Sequence, residues 1–500
     1  MSITCVDLHR TSPVLPASLV DQFPPGARLM SSSSKRKRQA DGDLLKPEKR
    51  VAVRRRTPSP APTTLPRSGP WSSKLIIVLV GLPARGKSYI ARKLCRYLNW
   101  LQYDTKIFNV GNKRRALNNL YAGAQEHSAS FFDPSDPKAS KIREVAAMGT
   151  LEELLDFLLL EGGSVALFDA TNTTVPRRRT VVDRVRQRAG DEIDVLFLES
   201  QCFDEDLLES NMRLKLSGPD YKGHNPIASL ADFKERVVMY SKKYVPLGSA
   251  EEALGWSFCK MIDVGRKFVM HNIQGYLAFK TVQYIQNFHL QPRQIWLTRR
   301  GESQDDEFGE DTADPHLSDH GRKYATALTA FIDKHRIMWR DQRTSTLRTS
   351  HSDGKQNIAS QCTSPNFQVW ASRAVRSRET SSGFSQPQYL VKHLHMLDSF
   401  SPSQDNSSSK SETQNQDAST QPPAFAHEES HSEIAHRIQW TILELERLHD
   451  HVLLIAGVAV LRVLLAYFRD LSETPALVKR DIPLHTLYLL EPVSFGIFLA

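Results

Sequence analysis

At 500 residues the chain is long enough for two or three domains with sizeable cores, and 40% hydrophobic with 24% charged residues fits a globular protein. Its net charge of +9 is concentrated at one end: residues 1–70 hold 13 of the 65 Lys/Arg and only 5 of the 56 Asp/Glu. The remainder is within one charge of neutral, which excludes a broad polyanion-binding face and a nucleic-acid partner for the body of the chain. Cys5, Cys95, Cys202, Cys259 and Cys362 show no CxxC or metal-type spacing, as expected of free thiols in the reducing cytoplasm.

Residues 1–72 form a basic tail rich in Ser and Pro, expected to be disordered because it has too little apolar surface to offset ordering entropy. Asp7, His9 and Arg10 interrupt any apolar stretch near the start, so no secretory signal is expected. SSSSKRKR is a weak nuclear-import pattern, and RRRTPSP offers Thr57 and Ser59 behind a basic run as a substrate site for a regulatory protein kinase.

Residues 75–80 (LIIVLV) form a short β-branched run, followed by a glycine turn and a helix that carries Ile90, Leu94, Tyr97 and Leu98 on one face. Further apolar runs at 165–168 and 195–198, with helical segments between them, predict a parallel sheet with helices on both faces. A second α/β series begins at Ile295. The predicted domains are 73–288 and 289–500, the second broken by disordered insertions near 343–366 and 399–423. Residues 452–468 are apolar but too short to cross a bilayer and carry Arg462, so they predict a buried strand running into a buried helix and no membrane span.

The turn after the first strand reads Gly81-Leu82-Pro83-Ala84-Arg85-Gly86-Lys87-Ser88, which is GxxxxGK[ST] between a strand and a helix. Glycines let successive N–H groups face phosphate oxygens, Lys87 brings a cation to the β/γ-phosphates, and Ser88 offers a hydroxyl to Mg²⁺. ATP with Mg²⁺ is the implied cofactor pair, on a P-loop NTPase-type sheet. Asp169 ends the strand at 165–168, at the edge where ligands gather, where it either binds Mg²⁺ or takes a proton from an attacking hydroxyl. The alternative for Asp169 is a helix N-cap. Thr171 and the run Arg177-Arg178-Arg179 suit an anionic second substrate; Arg178 and Arg179 are equally compatible with a solvated helix face.

GLPARGKSYIARKLCRYLNW, KIFNVG with RR, FDATNTT, SGPDY and IDVGRKF, in that order, resemble the 6-phosphofructo-2-kinase/fructose-2,6-bisphosphatase family. The resemblance covers residues 74–340 and, more patchily, 366–398 and 424–496. It implies transfer of the ATP γ-phosphate to the 2-hydroxyl of fructose 6-phosphate, making fructose 2,6-bisphosphate, a regulator of glycolysis. By motif position it assigns the stretch from Gly81 to Tyr89, with Asn211, to ATP. It assigns Lys87, Asp169 and Cys202 to catalysis, Ser88 and Asp169 to the metal, and Arg114, Arg143, Thr171, Arg177, Lys215, Arg236 and Tyr240 to fructose 6-phosphate. Cys202 is also compatible with a plain buried small hydrophobe. A homodimer is implied by the resemblance alone.

The second half resembles the histidine-phosphatase (phosphoglycerate-mutase-like) α/β fold of the same family. That chemistry needs a neutral imidazole nucleophile, but Arg300 stands in its place in Leu-Thr-Arg-Arg-Gly-Glu, and a guanidinium offers no lone pair to phosphorus. The second histidine position is Gly457, and the segment that supplies the acid is replaced by the insertion at 399–423. Bisphosphatase activity is therefore expected to be lost. Arg299, Glu302, Arg376 and Arg462 remain, either as a phosphosugar site or as structural charges; His485 is read as structural. Two other readings stay open: a bifunctional kinase and phosphatase, opposed by Arg300 and Gly457, and a non-catalytic sugar-phosphate sensor, opposed by Lys87, Ser88 and Asp169.

Overall fold

The computed structural model describes residues 2–7, 74–121, 131, 136–221, 223–287, 289, 293–308, 314–350, 367–384, 387, 389–399, 429–469 and 482–491. After β1 (Ser2–Asp7), the amino-terminal half runs β2 (Lys74–Val80), α1 (Lys87–Trp100), β3 (Thr105–Asn109), α2 (Val110–Tyr121), α3 (Pro137–Leu159) and β4 (Val165–Asp169). It continues α4 (Val175–Ala189), β5 (Ile193–Gln201), α5 (Glu205–Leu216), α6 (Pro226–Ser241), α7 (Ser249–Ala253), β6 (Ser257–Ile262), β7 (Lys267–His271) and α8 (Tyr276–Ile285).

These strands make one sheet in the order β3-β4-β2-β5-β6-β7, parallel throughout except for the antiparallel β6–β7 edge. Alternation along β2 builds both sides of it. Leu75, Ile77 and Leu79 join Ile90, Leu94, Tyr97 and Leu98 of α1, the face predicted from the sequence, whereas Ile76, Val78 and Val80 pack with residues of α3 and α4. Helices therefore cover both faces, and the carboxyl ends of β4, β2 and β5 lie side by side.

The carboxyl-terminal half comprises β8 (Ile295–Arg299), α9 (Gln304–Phe308), α10 (Asp319–Ser350), β9 (Phe367–Ala371), α11 (Val375–Ser381), β10 (Tyr389–His393), α12 (His431–Arg447), β11 (His451–Ala456), α13 (Val458–Arg469) and β12 (Thr486–Glu491). Its sheet order is β1-β12-β8-β11-β9-β10, with β12 antiparallel to β8. The apolar stretch 452–468 is the buried β11 followed by α13, as expected. Among the described residues no helix is long and apolar enough to cross a membrane, and Cys95, Cys202 and Cys259 are free thiols.

Three expectations are corrected. Residues 2–7 are not part of a disordered tail: Ser2–Asp7 pairs antiparallel with β12, its β-branched Ile3, Thr4 and Val6 suiting a pleated edge. The rest of the tail, with Thr57 and Ser59, lies outside the described residues. The helix α10 runs on to Ser350, eight residues into the expected insertion, because 343–350 contains neither glycine nor proline to stop it; residues 351–366 and 400–423 are outside the described set. The boundary near 289 does not divide the interior, since one apolar cluster takes in Leu94, Tyr97 and Trp100 of α1, Tyr284 of α8, and Ile438, Val463 and Tyr467 of the second half.

Candidate active site

The loop after β2 is shaped by two glycines. Gly81 sits at φ 136°, and a side chain there would come within 2.6 Å of the Ser200 carbonyl oxygen, so only glycine lets β2 and β5 approach. Gly86, at φ 82°, caps α1 with open space where a side chain would stand. Asn211 is buried and donates from Nδ2 to the Ala84 carbonyl at 3.1 Å, holding the loop from α5.

Lys87 opens α1 and is only 8% exposed, with Nζ turned back onto the Leu82 carbonyl at 2.6 Å. Burial pulls its pKa from 10.5 down to about 7; Asp169 opposes the shift, while Lys215, Arg85 and Arg236 add to it. An ammonium with so little compensation is suited to an incoming polyphosphate. Among the described residues, Arg85 Nη1 and Asn211 Oδ1 are buried without a hydrogen-bond partner. These groups fit ATP.

Asp169, 5% exposed at the end of β4, accepts hydrogen bonds at Oδ2 from Ser88 Oγ at 2.8 Å and from Asn109 Nδ2 at 2.6 Å. A hydroxyl beside one carboxylate fits Mg²⁺, which usually takes one or two protein oxygens and completes its shell from phosphates and water. Asp169 is not a helix cap: α4 is capped by Thr174, whose side chain accepts from the Arg177 N–H.

A group of cations gathers on one further carboxylate. Arg114, Arg115 and Arg236 all bond the Asp220 carboxylate, at 3.0 to 3.1 Å. Burial alone would raise Asp220, but the three guanidiniums hold it well below the usual carboxylate range. Arg114 and Arg143 lie over the Phe131 ring, 5.9 and 5.8 Å from its centroid. Tyr240 acts electrostatically on Arg114 and Arg236, and Lys215, its pKa lowered by burial, feels Asp169. Arg177 pairs with Glu144, the neighbour of Arg143 on α3. The Thr171 carbonyl accepts from the Gly81 N–H at 3.0 Å.

Arg178 and Cys202 stand apart from this group. Arg178 has no exposure; it bonds Glu251 at 2.6 and 2.8 Å and the carbonyls of Asn172 and Val245 at 3.0 Å, a strut rather than a ligand or a solvated face. Arg179 is exposed. Cys202 lines a small cleft with Arg85, Tyr89 and Asn211, and burial pushes its thiol upward, away from thiolate chemistry. Sequence reasoning missed Asn109, Arg115 and Asp220. SGPDY contains Asp220, but only the fold brings it to the arginines.

In the second half, Arg300 forks onto Asp306 and also donates to the Gly301 carbonyl at 3.1 Å. Gly457 offers no imidazole, and a side chain there would meet Ser399 Oγ at 2.1 Å, so the serine would have to turn aside to admit one. Arg299 donates to the Ile482 carbonyl at 2.8 Å, and His485 is buried, its Nε2 accepting from the Glu302 N–H at 3.4 Å.

A family model described as 6-phosphofructo-2-kinase matches residues 67–292. The chain is 41% identical to 6-phosphofructo-2-kinase 1 of Saccharomyces cerevisiae over 436 residues, 85% of this chain and 51% of that one, so it spans about half that relative's length. It is 39% identical to a probable 6-phosphofructo-2-kinase of Schizosaccharomyces pombe, covering 86% of this chain and 69% of the relative. With the 6-phosphofructo-2-kinase/fructose-2,6-bisphosphatase of Caenorhabditis elegans the identity is 35% over 84% of this chain and 87% of that one. With this family model and with relatives matching along most of their own lengths, the chain belongs to the 6-phosphofructo-2-kinase family.

Proposed function

We propose that the chain transfers the γ-phosphate of ATP to the 2-hydroxyl of fructose 6-phosphate, giving fructose 2,6-bisphosphate. The observation that carries this reading is the hydrogen bond of Ser88 to Asp169, at 2.8 Å, beside a buried Lys87 on which Asp169, Lys215 and Arg236 all act electrostatically. The loop from Gly81 to Tyr89, with Asn211, holds the nucleotide. Arg114, Arg143, Thr171, Arg177, Lys215, Arg236 and Tyr240 hold the sugar phosphate, whose two negative charges need several fixed cations beside the nucleotide.

Lys87 compensates the charge that spreads over the transferring group, and regains its proton as it does so. Asp169 orients the attacking hydroxyl and accepts its proton, with Asn109 and Ser88 fixing the carboxylate's rotamer. When bound through Ser88 and Asp169, Mg²⁺ would neutralise phosphate charge and align the phosphates. Cys202 serves the nucleotide cavity by packing, since phosphoryl transfer here needs no thiolate.

The second half is proposed to lack bisphosphatase activity, supported by Arg300 on Asp306 and Ser399 against Gly457. Purified protein given Mg-ATP and fructose 6-phosphate should form product, and given fructose 2,6-bisphosphate should release no phosphate. Folded protein that binds ATP but forms no product would overturn the kinase reading in favour of a sensor; phosphate release in the second reaction would favour a bifunctional enzyme.

We place the protein in the cytoplasm as a homodimer whose tail is phosphorylated at Thr57 or Ser59. A monomer by sedimentation, or a tail without phosphate in cells, would remove the respective statement.

A further inference from the structure

The phosphate-loop helix does two jobs along its length. Its first turn carries Lys87 and Ser88, and its second half is embedded in the carboxyl-terminal half of the chain. Lys93 Nζ bonds Glu446 Oε2 at 2.7 Å and Arg96 Nη2 reaches Oε1 at 3.3 Å. Glu446, on α12, is 1% exposed and also faces Arg293 at 3.7 Å. Tyr467 OH donates to Oε1 at 2.5 Å, and Tyr284 OH lies 2.9 Å from Tyr467 OH.

Aromatic contacts extend the same joint. Tyr97 stacks on Tyr284 with centroids 4.3 Å apart, and Trp100 donates from Nε1 to the Val463 carbonyl at 3.0 Å. Burial alone would raise Glu446, but Lys93, Arg96 and Arg293 hold it well below the usual carboxylate range, so it stays ionised. Six to nine residues of helix, roughly 9–14 Å at 1.5 Å per residue, separate Lys87 from these cations, too short for α1 to bend freely. Lys93 also lies over the ring of Tyr89, which lines the cavity beside the phosphate loop.

We propose that Glu446 is a positioning residue for the nucleotide: by clamping Lys93 and Arg96 it fixes α1, and with it Gly86, Lys87 and Ser88. The second half is then retained as the anchor of the ATP site, whatever its own chemistry. This rests on the ATP-dependent reading above. The arginines gathered on Asp220 sit on α2 and α6, so the clamp should act on ATP and leave fructose 6-phosphate alone.

The test is Glu446→Gln, which keeps the size of the side chain and removes its charge. ATP affinity is measured by calorimetry without sugar, alongside KM for each substrate. The expected result is a Kd and KM for ATP raised about tenfold, with KM for fructose 6-phosphate within about twofold of the wild type. Val369→Ala, in the apolar cluster on the other face of the second sheet, is the control: it should lower Tm and leave ATP affinity unchanged. Folded Glu446→Gln with unchanged ATP affinity overturns the proposal, as does an equal loss in Val369→Ala. If Glu446→Gln does not fold, Trp100→Phe decides: ATP binding about threefold weaker supports the clamp, and unchanged binding overturns it. Because calorimetry needs no turnover, a wild type that binds ATP yet makes no product would count against the kinase reading and leave this test intact.

Discussion

Ser88 Oγ donates to Asp169 Oδ2 at 2.8 Å, joining the first turn of α1 to the end of β4 across 81 residues of chain. That bond fixes the carboxylate beside the phosphate loop. Asp169→Asn keeps the shape and removes the acceptor of the proton. It should lower kcat by about 10²–10⁴-fold while ATP still binds, as general-base losses do. Equal losses in ATP affinity and kcat would mean that Asp169 serves binding alone.

The depressed pKa of Lys87, about 7, has a thermodynamic signature. The free folded protein binds fewer protons at this group than an ordinary lysine, and phosphates restore the charged form, so ATP binding takes up protons. Uptake through Lys87 should be small at pH 6, where the group is already charged, and approach one proton near pH 8. Calorimetry in buffers of different ionisation enthalpy reads it directly. Lys87→Arg, which stays charged throughout, should abolish the pH 8 uptake; uptake that persists in that variant would locate the proton elsewhere.

Asp220 holds three guanidiniums within 3.1 Å and is 13% exposed. Asp220→Asn should raise KM for fructose 6-phosphate about tenfold, leave KM for ATP within about twofold, and cost about 2 kcal/mol of stability by removing the countercharge that three clustered guanidiniums share. The stability from a depressed carboxylate is fully present above its unfolded pKa, near 4, and is lost as pH falls through the lower folded-state value. Acid melting of Asp220→Asn should therefore show a shallower loss than the wild type. Identical acid profiles would contradict the role given to Asp220.

Placing a histidine at position 300 should not create a phosphatase. Arg300→His supplies an imidazole but leaves Gly457 with Ser399 against it. Phosphate release from fructose 2,6-bisphosphate should stay at background in Arg300→His. Release from that single variant would show that the second half had kept the rest of its machinery.

What the sequence revealed and what it hid divide by distance along the chain. Gly86, Lys87 and Ser88 are contiguous, and the buried face of α1 repeats every three or four residues, so both were readable. Asp169 was readable because an apolar run ends on it. Asn109 was not: it meets Asp169 only because β3 pairs with β4. Asp220 lies 106 residues from Arg114, and Glu446 lies 353 from Lys93; no local pattern marks either. Ser2–Asp7 was hidden for the same reason, its partner strand being at the other end of the chain. The arginine run at 177–179 looked uniform but has three fates, since a helix turns successive residues by 100°: Arg177 pairs with Glu144, Arg178 is a buried strut and Arg179 is exposed.

The chemistry of the product tells which oxygen of the sugar receives phosphate. A phosphate on the 2-hydroxyl sits on the anomeric carbon and leaves readily in mild acid, whereas an ester on the primary 1-hydroxyl survives. Purified protein is given Mg-ATP and fructose 6-phosphate, and the bisphosphate formed is held briefly in dilute acid. One phosphate should be lost per product molecule and fructose 6-phosphate recovered. An acid-stable bisphosphate, or ATP left unconsumed by folded protein, would rule out transfer to the 2-hydroxyl.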